Sequence, residues 1–196
     1  MRRLFPILFM LSLGLSLPFR SNAAENSFIK DATDELSVLS GYGVTPSGFG
    51  DIRNHLQTFD AILRYGHFLS PEVGDGWYRA RHEVLLEIPV NLAVDRNGRA
   101  MTGGNILGCW KFTSLREYLP YLFAGGGIFY VDLGMPGMGS RLDFSYQGGV
   151  GIQYFITRET ALNLEYRYQH VSNANIASPN EGLNASRIHL GITAYR

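Results

Sequence analysis

The chain has 196 residues with 17 basic and 17 acidic side chains, so its formal net charge is zero. This balance argues against a nucleic-acid partner, which would require a broad basic surface. The single cysteine, Cys109, excludes a disulfide framework within the chain and a cysteine-based metal site.

The N-terminus has the features of a secretory signal peptide. Two arginines precede an apolar run from Leu4 to Phe19, and Ala23 and Ala24 are small residues at the usual cleavage distance. We therefore predict a signal peptide at residues 1–24 and a single domain at residues 25–196. The apolar runs after the signal are too short for a transmembrane helix.

We predict that the first strand, Leu36–Val44, follows a loose lead-in at Ala24–Glu35 and precedes a long loop at Thr45–Gln57. Alternation of apolar and polar residues then continues to the C-terminus. We predict eight strands: Leu36–Val44, Phe59–Gly66, His82–Val94, Ile106–Phe112, Tyr118–Asp132, Leu142–Tyr154, Leu162–Ser172 and Asn184–Tyr195.

Glycines interrupt the fifth predicted strand at Gly125-Gly126-Gly127. This run is not followed by Lys-Ser/Thr or by a helix, so it is not a phosphate-binding loop. Glycine inside a strand indicates a strong bend or a close approach between neighbouring strands.

Eight strands of this length are typical of a small antiparallel up-and-down barrel that crosses a membrane with about 9–11 residues per strand. Alternation alone does not say which face points outward, because the pattern is unchanged when inside and outside are exchanged. A soluble barrel with its polar face in water therefore stays an alternative. Aromatic residues near strand ends and glycines on the polar face favour the transmembrane β-barrel, as does a composition of 17% charged and 13% aromatic residues. In that barrel we predict that the lumen holds Asn163, Glu165, Arg167 and Gln169, and that lipid contacts Leu162, Leu164, Tyr166 and Tyr168.

Polar residues replace apolar ones where the last two predicted strands meet their connecting loop. His170 and Ser172 continue the face of Leu162 and Leu164, and Asn184 begins the next strand on the corresponding face. The three side chains would therefore share one side of one hairpin end. Their residue types are those of a hydrolase triad.

The segment from His170 to Asn184, HVSNANIASPNEGLN, resembles the signature of the PagL family of outer-membrane lipid A deacylases. That signature is a His-x-Ser-Asn-Ala run followed by Pro-Asn-x-Gly near the end of an eight-stranded barrel. The resemblance implies that Ser172 is the nucleophile and His170 its base.

The acidic third member of the family's triad falls on Asn184, which is a departure from the family pattern. An asparagine can accept a hydrogen bond from the histidine and hold the ring, but it lacks the charge that stabilises an imidazolium. Glu181, in the preceding loop, is an alternative third member. Asn173 and Asn180 are candidate oxyanion donors, and both are also ordinary turn residues.

The resemblance implies a serine esterase that removes an ester-linked acyl chain, the 3-O-linked one, from lipid A of lipopolysaccharide. It would act without metal or organic cofactor, in the outer membrane of a Gram-negative cell, among membrane lipids, as a monomer or homodimer. A non-enzymatic structural or adhesion barrel is the first alternative, and a soluble lipid-binding barrel the second. His67 and His82 are interpreted as interfacial or loop histidines, since no metal-ligand spacing accompanies them.

Overall fold

The computed structural model describes residues 29–45, 56–94, 98–115 and 117–196, which contain eight strands and a short 3-10 turn at Gly76–Tyr78. The strands are β1 (Asp34–Thr45), β2 (Leu56–Phe68), β3 (Ala80–Ala93), β4 (Ala100–Phe112), β5 (Tyr118–Asp132), β6 (Leu142–Phe155), β7 (Thr160–Ser172) and β8 (Leu183–Tyr195). Each strand pairs antiparallel with the next, and β1 pairs with β8. The predicted closed up-and-down barrel is confirmed.

Several strands are longer than the alternation predicts. β4 begins at Ala100 rather than Ile106, and β2 begins at Leu56 rather than Phe59. Gly103 and Gly104 hide the apolar period of β4, because glycine has no side chain, while the backbone pairing continues through them. The predicted signal peptide and the centre of the first predicted loop, residues 46–55, lie outside the described residues.

Alternate side chains of the strands divide into a buried polar set and an exposed apolar set. On β7 the inward residues are at most 3% exposed, whereas the outward leucines are 47% exposed. The polar face therefore points into the barrel, which is the reverse of a soluble barrel with its polar face in water. The inward residues are Asn163, Glu165, Arg167 and Gln169, and the outward ones are Leu162, Leu164, Tyr166 and Tyr168.

Most of the described charged side chains in the interior form ion pairs, because an unpaired charge in a dry interior is costly. Arg64 on β2 contacts Glu165 at 2.5 Å and Glu87 at 2.7 Å. Arg167 on β7 contacts the same two carboxylates at 2.7 and 2.8 Å. Lys111 pairs with Glu35 and Glu83, and Arg187 pairs with Asp60. Several of these pairs, such as Arg64–Glu165 and Arg187–Asp60, join strands that are far apart in sequence.

The end of the barrel that holds both described chain termini, called here the terminal end, is packed with apolar side chains. Ile29 is fully buried against a cluster that includes Phe68, Phe155 and Tyr195. Arg81 donates to the carbonyl of Ile29 at 2.5 Å and to that of Ala32 at 2.7 Å. The predicted loose lead-in is therefore wrong for its described part, because buried contacts hold residues 29–33 and β1 begins at Asp34.

The opposite end, called here the loop end, carries the connections β1–β2, β3–β4, β5–β6 and β7–β8. A second apolar cluster fills the barrel there and includes Phe129, Val131, Val171 and Leu183. Val171 lies between His170 and Ser172 in the chain, and Leu183 precedes Asn184. Both point into the barrel, so this packing fixes the backbone that carries the predicted site residues on the outside. Within the described ranges, no helix has the length and apolar character needed to cross a bilayer.

The glycine run of β5 marks a close approach between strands. A Cβ atom on Gly127 would lie 2.0 Å from the carbonyl oxygen of Gly104 on β4, and one on Gly126 would lie 2.5 Å from that of Ser145 on β6. Pairing with both neighbours continues through the run. Of the two predicted explanations, close packing is the one that these contacts support.

Candidate active site

Three of the predicted site residues meet on the outer surface at the loop end. His170 and Ser172 lie on the outward face of β7, two residues apart, and both are partly buried. Asn184 lies on β8 directly opposite His170 in the strand register. The alternation of β7 and the antiparallel pairing together bring these side chains to one patch.

Asn184 holds the ring of His170. The His170 Nδ1 atom lies 2.6 Å from the Asn184 Oδ1 atom. An amide oxygen only accepts hydrogen bonds, so the ring proton is on Nδ1, and the Nδ1–H group donates a hydrogen bond to Asn184 Oδ1. The Nε2 atom of the neutral ring is then the one that can accept a proton.

Gly182 lies against both His170 and Ser172. Its φ is +65°, and a Cβ atom built on it would lie 2.8 Å from His170 Cε1, 3.4 Å from His170 Nε2 and 3.6 Å from Ser172 Cβ. The Nε2 side of the ring and the Ser172 side chain therefore border the same small space. A residue without a side chain leaves that space open.

Tyr146 on β6 covers the face of the His170 ring. The two residues are directly opposite in the register of β6 and β7. Their ring centroids are 4.6 Å apart and the ring planes are inclined by 24°, which is a stacked arrangement. Alternation predicts that Tyr146 points outward, but its partner follows only from the strand register, so sequence reasoning did not find this contact.

Asn173 and Asn180 hold the β7–β8 loop together. The Asn173 backbone N–H donates to Asn180 Oδ1 at 3.0 Å, and Asn173 Nδ2 donates to the carbonyls of Ala177 at 3.0 Å and Pro179 at 3.2 Å. Asn180 Nδ2 donates to Asn175 Oδ1 at 2.9 Å. Both asparagines therefore have a structural role beside the oxyanion role predicted for them.

Glu181 extends towards the β5–β6 loop. A Cβ atom on Gly137 would lie 2.3 Å from Glu181 Oε2, and the Glu181 backbone N–H donates to the Gly137 carbonyl at 2.9 Å. Gly139 donates to the carbonyl of Pro179 at 2.7 Å. The two loops thus pack against each other, and the Glu181 carboxylate lies at this contact, while the acceptor of the His170 Nδ1–H hydrogen bond is Asn184 Oδ1.

His67 and His82, the other two histidines discussed from the sequence, lie at the terminal end. His67 Nδ1 lies 2.9 Å from Asp34 Oδ1, and His82 Nδ1 lies 3.4 Å from Ser70 Oγ. They occupy the opposite end of the barrel from His170, which matches their interpretation as interfacial histidines.

The fold and the patch define a class of protein: a β-barrel with an apolar outer surface and a Ser, His and Asn cluster at one edge of that surface. The sequence pattern of the family described as Lipid A 3-O-deacylase (PagL) matches residues 63–193, a range that includes all three cluster residues. The chain therefore belongs to the PagL family and is an outer-membrane β-barrel.

Comparisons with solved structures agree on the fold. The crystal structure of the outer membrane enzyme PagL is 16% identical, with a TM-score of 0.54, over 80% of this chain and 97% of that one. Neisserial surface protein A (NspA) is 14% identical, with a TM-score of 0.59, over 83% and 97% of the two chains. At these identities the likeness concerns the fold alone. Comparison with curated protein sequences gives no match.

Proposed function

We propose that the protein is a serine esterase that removes the 3-O-linked acyl chain from lipid A, with Ser172 as nucleophile and His170 as general base. The observation that carries the proposal is the 2.6 Å hydrogen bond from His170 Nδ1 to Asn184 Oδ1, which leaves Nε2 on the side of Ser172. Membership of a lipid A deacylase family supports the substrate.

The position of the patch suits a membrane substrate. In outer-membrane barrels the longer loops are extracellular and the turns periplasmic. The connections 133–141 and 173–182 at the loop end are longer than 113–117 and 156–159 at the terminal end, which supports placing the loop end at the outer leaflet. His170 and Ser172 lie on the outward face of β7, in line with the apolar residues Leu162 and Leu164. An acyl ester of lipid A would reach this patch by lateral diffusion.

The proposed reaction has two steps. His170 Nε2 takes the Ser172 proton as the serine oxygen bonds to the ester carbonyl carbon, and the ring then gives that proton to the departing sugar oxygen. A water molecule, deprotonated by the same nitrogen, attacks the acyl-enzyme and releases the fatty acid. The serine regains its proton from the ring, so no metal or organic cofactor takes part.

The tetrahedral intermediate requires donors for its oxyanion. An amide nitrogen has two protons, and Asn180 Nδ2 gives one to Asn175. The second proton of Asn180 is the donor we propose. Both described bonds of Asn173 Nδ2 go to loop carbonyls, so Asn173 supports the loop that carries Asn180.

Mass spectrometry of lipid A from cells that express each variant tests the proposed function. The wild type should release one ester-linked chain, and Ser172→Ala and His170→Ala should each leave lipid A unchanged while forming a folded barrel. Ser186→Ala is a matched control, because Ser186 lies on the same outer surface and pairs with the Tyr166 hydroxyl at 3.2 Å. It should retain activity.

Two results would contradict the proposal. Deacylation that survives Ser172→Ala would overturn the assigned mechanism. A folded wild type that leaves lipid A unchanged would favour the alternative of a non-enzymatic barrel. Loss of a chain other than the 3-O-linked one would keep the esterase and correct its specificity.

A further inference from the structure

The stack between Tyr146 and His170 has no role in the reaction described above. The two rings lie face to face at 4.6 Å on neighbouring strands, and their positions are set by the register of β6 and β7. Tyr146 is 62% exposed on the outer surface.

The reaction makes His170 positive when it holds the Ser172 proton. In Ser-His-Asp sites a buried carboxylate stabilises this imidazolium. Here Asn184 is neutral and can orient the ring but cannot supply charge. The face of an aromatic ring carries negative electrostatic potential and attracts a cation within about 6 Å of its centroid.

We propose that Tyr146 is a positioning residue that takes over part of the missing carboxylate's role, by stabilising the imidazolium form of His170 through its ring face. This inference rests on the proposed function. The apolar side of the patch strengthens the effect, because an interaction between a cation and a ring is stronger where water is excluded. The neighbouring outward residue Phe144 lies opposite Ser172 and keeps this part of the surface apolar.

The first test measures kcat/KM on lipid A in detergent micelles for Tyr146→Leu and Tyr146→Phe. Leucine keeps an apolar side chain but removes the ring face, and kcat/KM should fall by about 2- to 30-fold, the equivalent of about 0.5–2 kcal/mol. Phenylalanine keeps the ring face and should retain activity. Tyr154→Leu is the matched control, since Tyr154 lies on the outward side of the same strand at the terminal end, beside Tyr118.

The second test combines Tyr146→Leu with Asn184→Glu. A carboxylate at position 184 would supply the charge that the ring face supplies in the wild type. The loss caused by Tyr146→Leu should therefore be smaller in the Asn184→Glu background. An equal loss in both backgrounds would show that the tyrosine only packs against the ring, and would overturn the proposal.

The stack itself has a readout that is independent of activity. The ring current of Tyr146 should shift the NMR signals of the His170 ring protons upfield, and this shift should be absent in Tyr146→Leu and present in Tyr146→Phe. An active wild type with full activity in Tyr146→Leu overturns this proposal alone. An inactive wild type overturns the proposed function and this proposal with it, even where the ring-current shift is observed.

Discussion

The imidazole of His170 is held by an amide at the position where the family signature has an acid. We expect Asn184→Ala to lower deacylation several-fold or more, because the ring loses the 2.6 Å partner that fixes its Nδ1 proton. Asn184→Glu should keep or raise activity, since a carboxylate both orients and stabilises the protonated ring. The rate of acyl release from lipid A measures both effects.

Glu181→Ala is the discriminating companion variant. The Glu181 carboxylate lies at Gly137 in the β5–β6 loop, so its removal should leave the rate close to that of the wild type. Full activity in Asn184→Ala together with loss in Glu181→Ala would transfer the orienting role to Glu181.

A second prediction for a single residue concerns the effect of Gly182→Ala on activity. Gly182→Ala places a Cβ atom 2.8 Å from His170 Cε1 on a backbone with φ of +65°. Activity should fall strongly while the barrel stays folded, because the ring must move away from Ser172. Gly98→Ala is a suitable control: its φ is +72°, but a Cβ atom there has no neighbour within 4 Å. Equal activity in the two variants would show that the collision is harmless.

At the level of the strand, β7 presents one face to lipid and the other to the buried charges. Leu164 lies near the middle of its outward face. Leu164→Arg should lower the free energy of unfolding by about 2–4 kcal/mol if that position is near the bilayer midplane. Urea unfolding in lipid vesicles, followed by tryptophan fluorescence, measures this change.

A substitution in a turn provides the comparison for that measurement. Thr157→Arg lies in the exposed β6–β7 connection and should change the unfolding free energy little. If Leu164→Arg were as stable as Thr157→Arg, or if the wild type stayed soluble without detergent, the outward face of β7 would not contact lipid.

Sequence periodicity predicted the strands well where the alternation is unbroken, as in β3 and β7. Periodicity alone did not fix the direction of Glu165 and Arg167, because a period of two residues is symmetric under exchange of faces. The aromatic strand ends and the glycines on the polar face predicted that these residues point into the barrel, and their burial confirms it. The contacts of Arg64 with Glu87 and Glu165 on two other strands show that the polar face belongs inside. Side chains that join distant strands leave no local pattern in the sequence.

The grouping of the candidate site residues was predictable where they are neighbours in the sequence. His170, Ser172 and Asn184 are close in sequence and belong to one hairpin, so alternation and the family signature were sufficient to name them. Tyr146 comes from β6 and reaches His170 only through the register of the sheet. Ile29 is a similar case, since its burial depends on the closed barrel at the terminal end.

For the whole molecule, stability depends on the ion pairs among the buried charges. Arg167→Ala removes one of the two arginines that pair with Glu87 and Glu165 and leaves these buried carboxylates undercompensated. The free energy of unfolding should fall by about 3–5 kcal/mol. Arg158→Ala, at an exposed turn, should have an effect below about 1 kcal/mol. Unfolding in urea, read from the gel mobility of the folded barrel, compares the two, and equal stabilities would contradict this role for the charge network.

The last strand, β8, both closes the barrel and carries a residue of the candidate site. β8 pairs with β1 to complete the ring of strands and, through Arg187, reaches Asp60 on β2. The same strand carries Asn184, which orients His170. A nascent chain stalled before β8 inserts would lack both the seam and the orienting amide. Such a half-built barrel would act on the lipid around it more slowly than the closed one, so full activity would be confined to molecules whose assembly had finished.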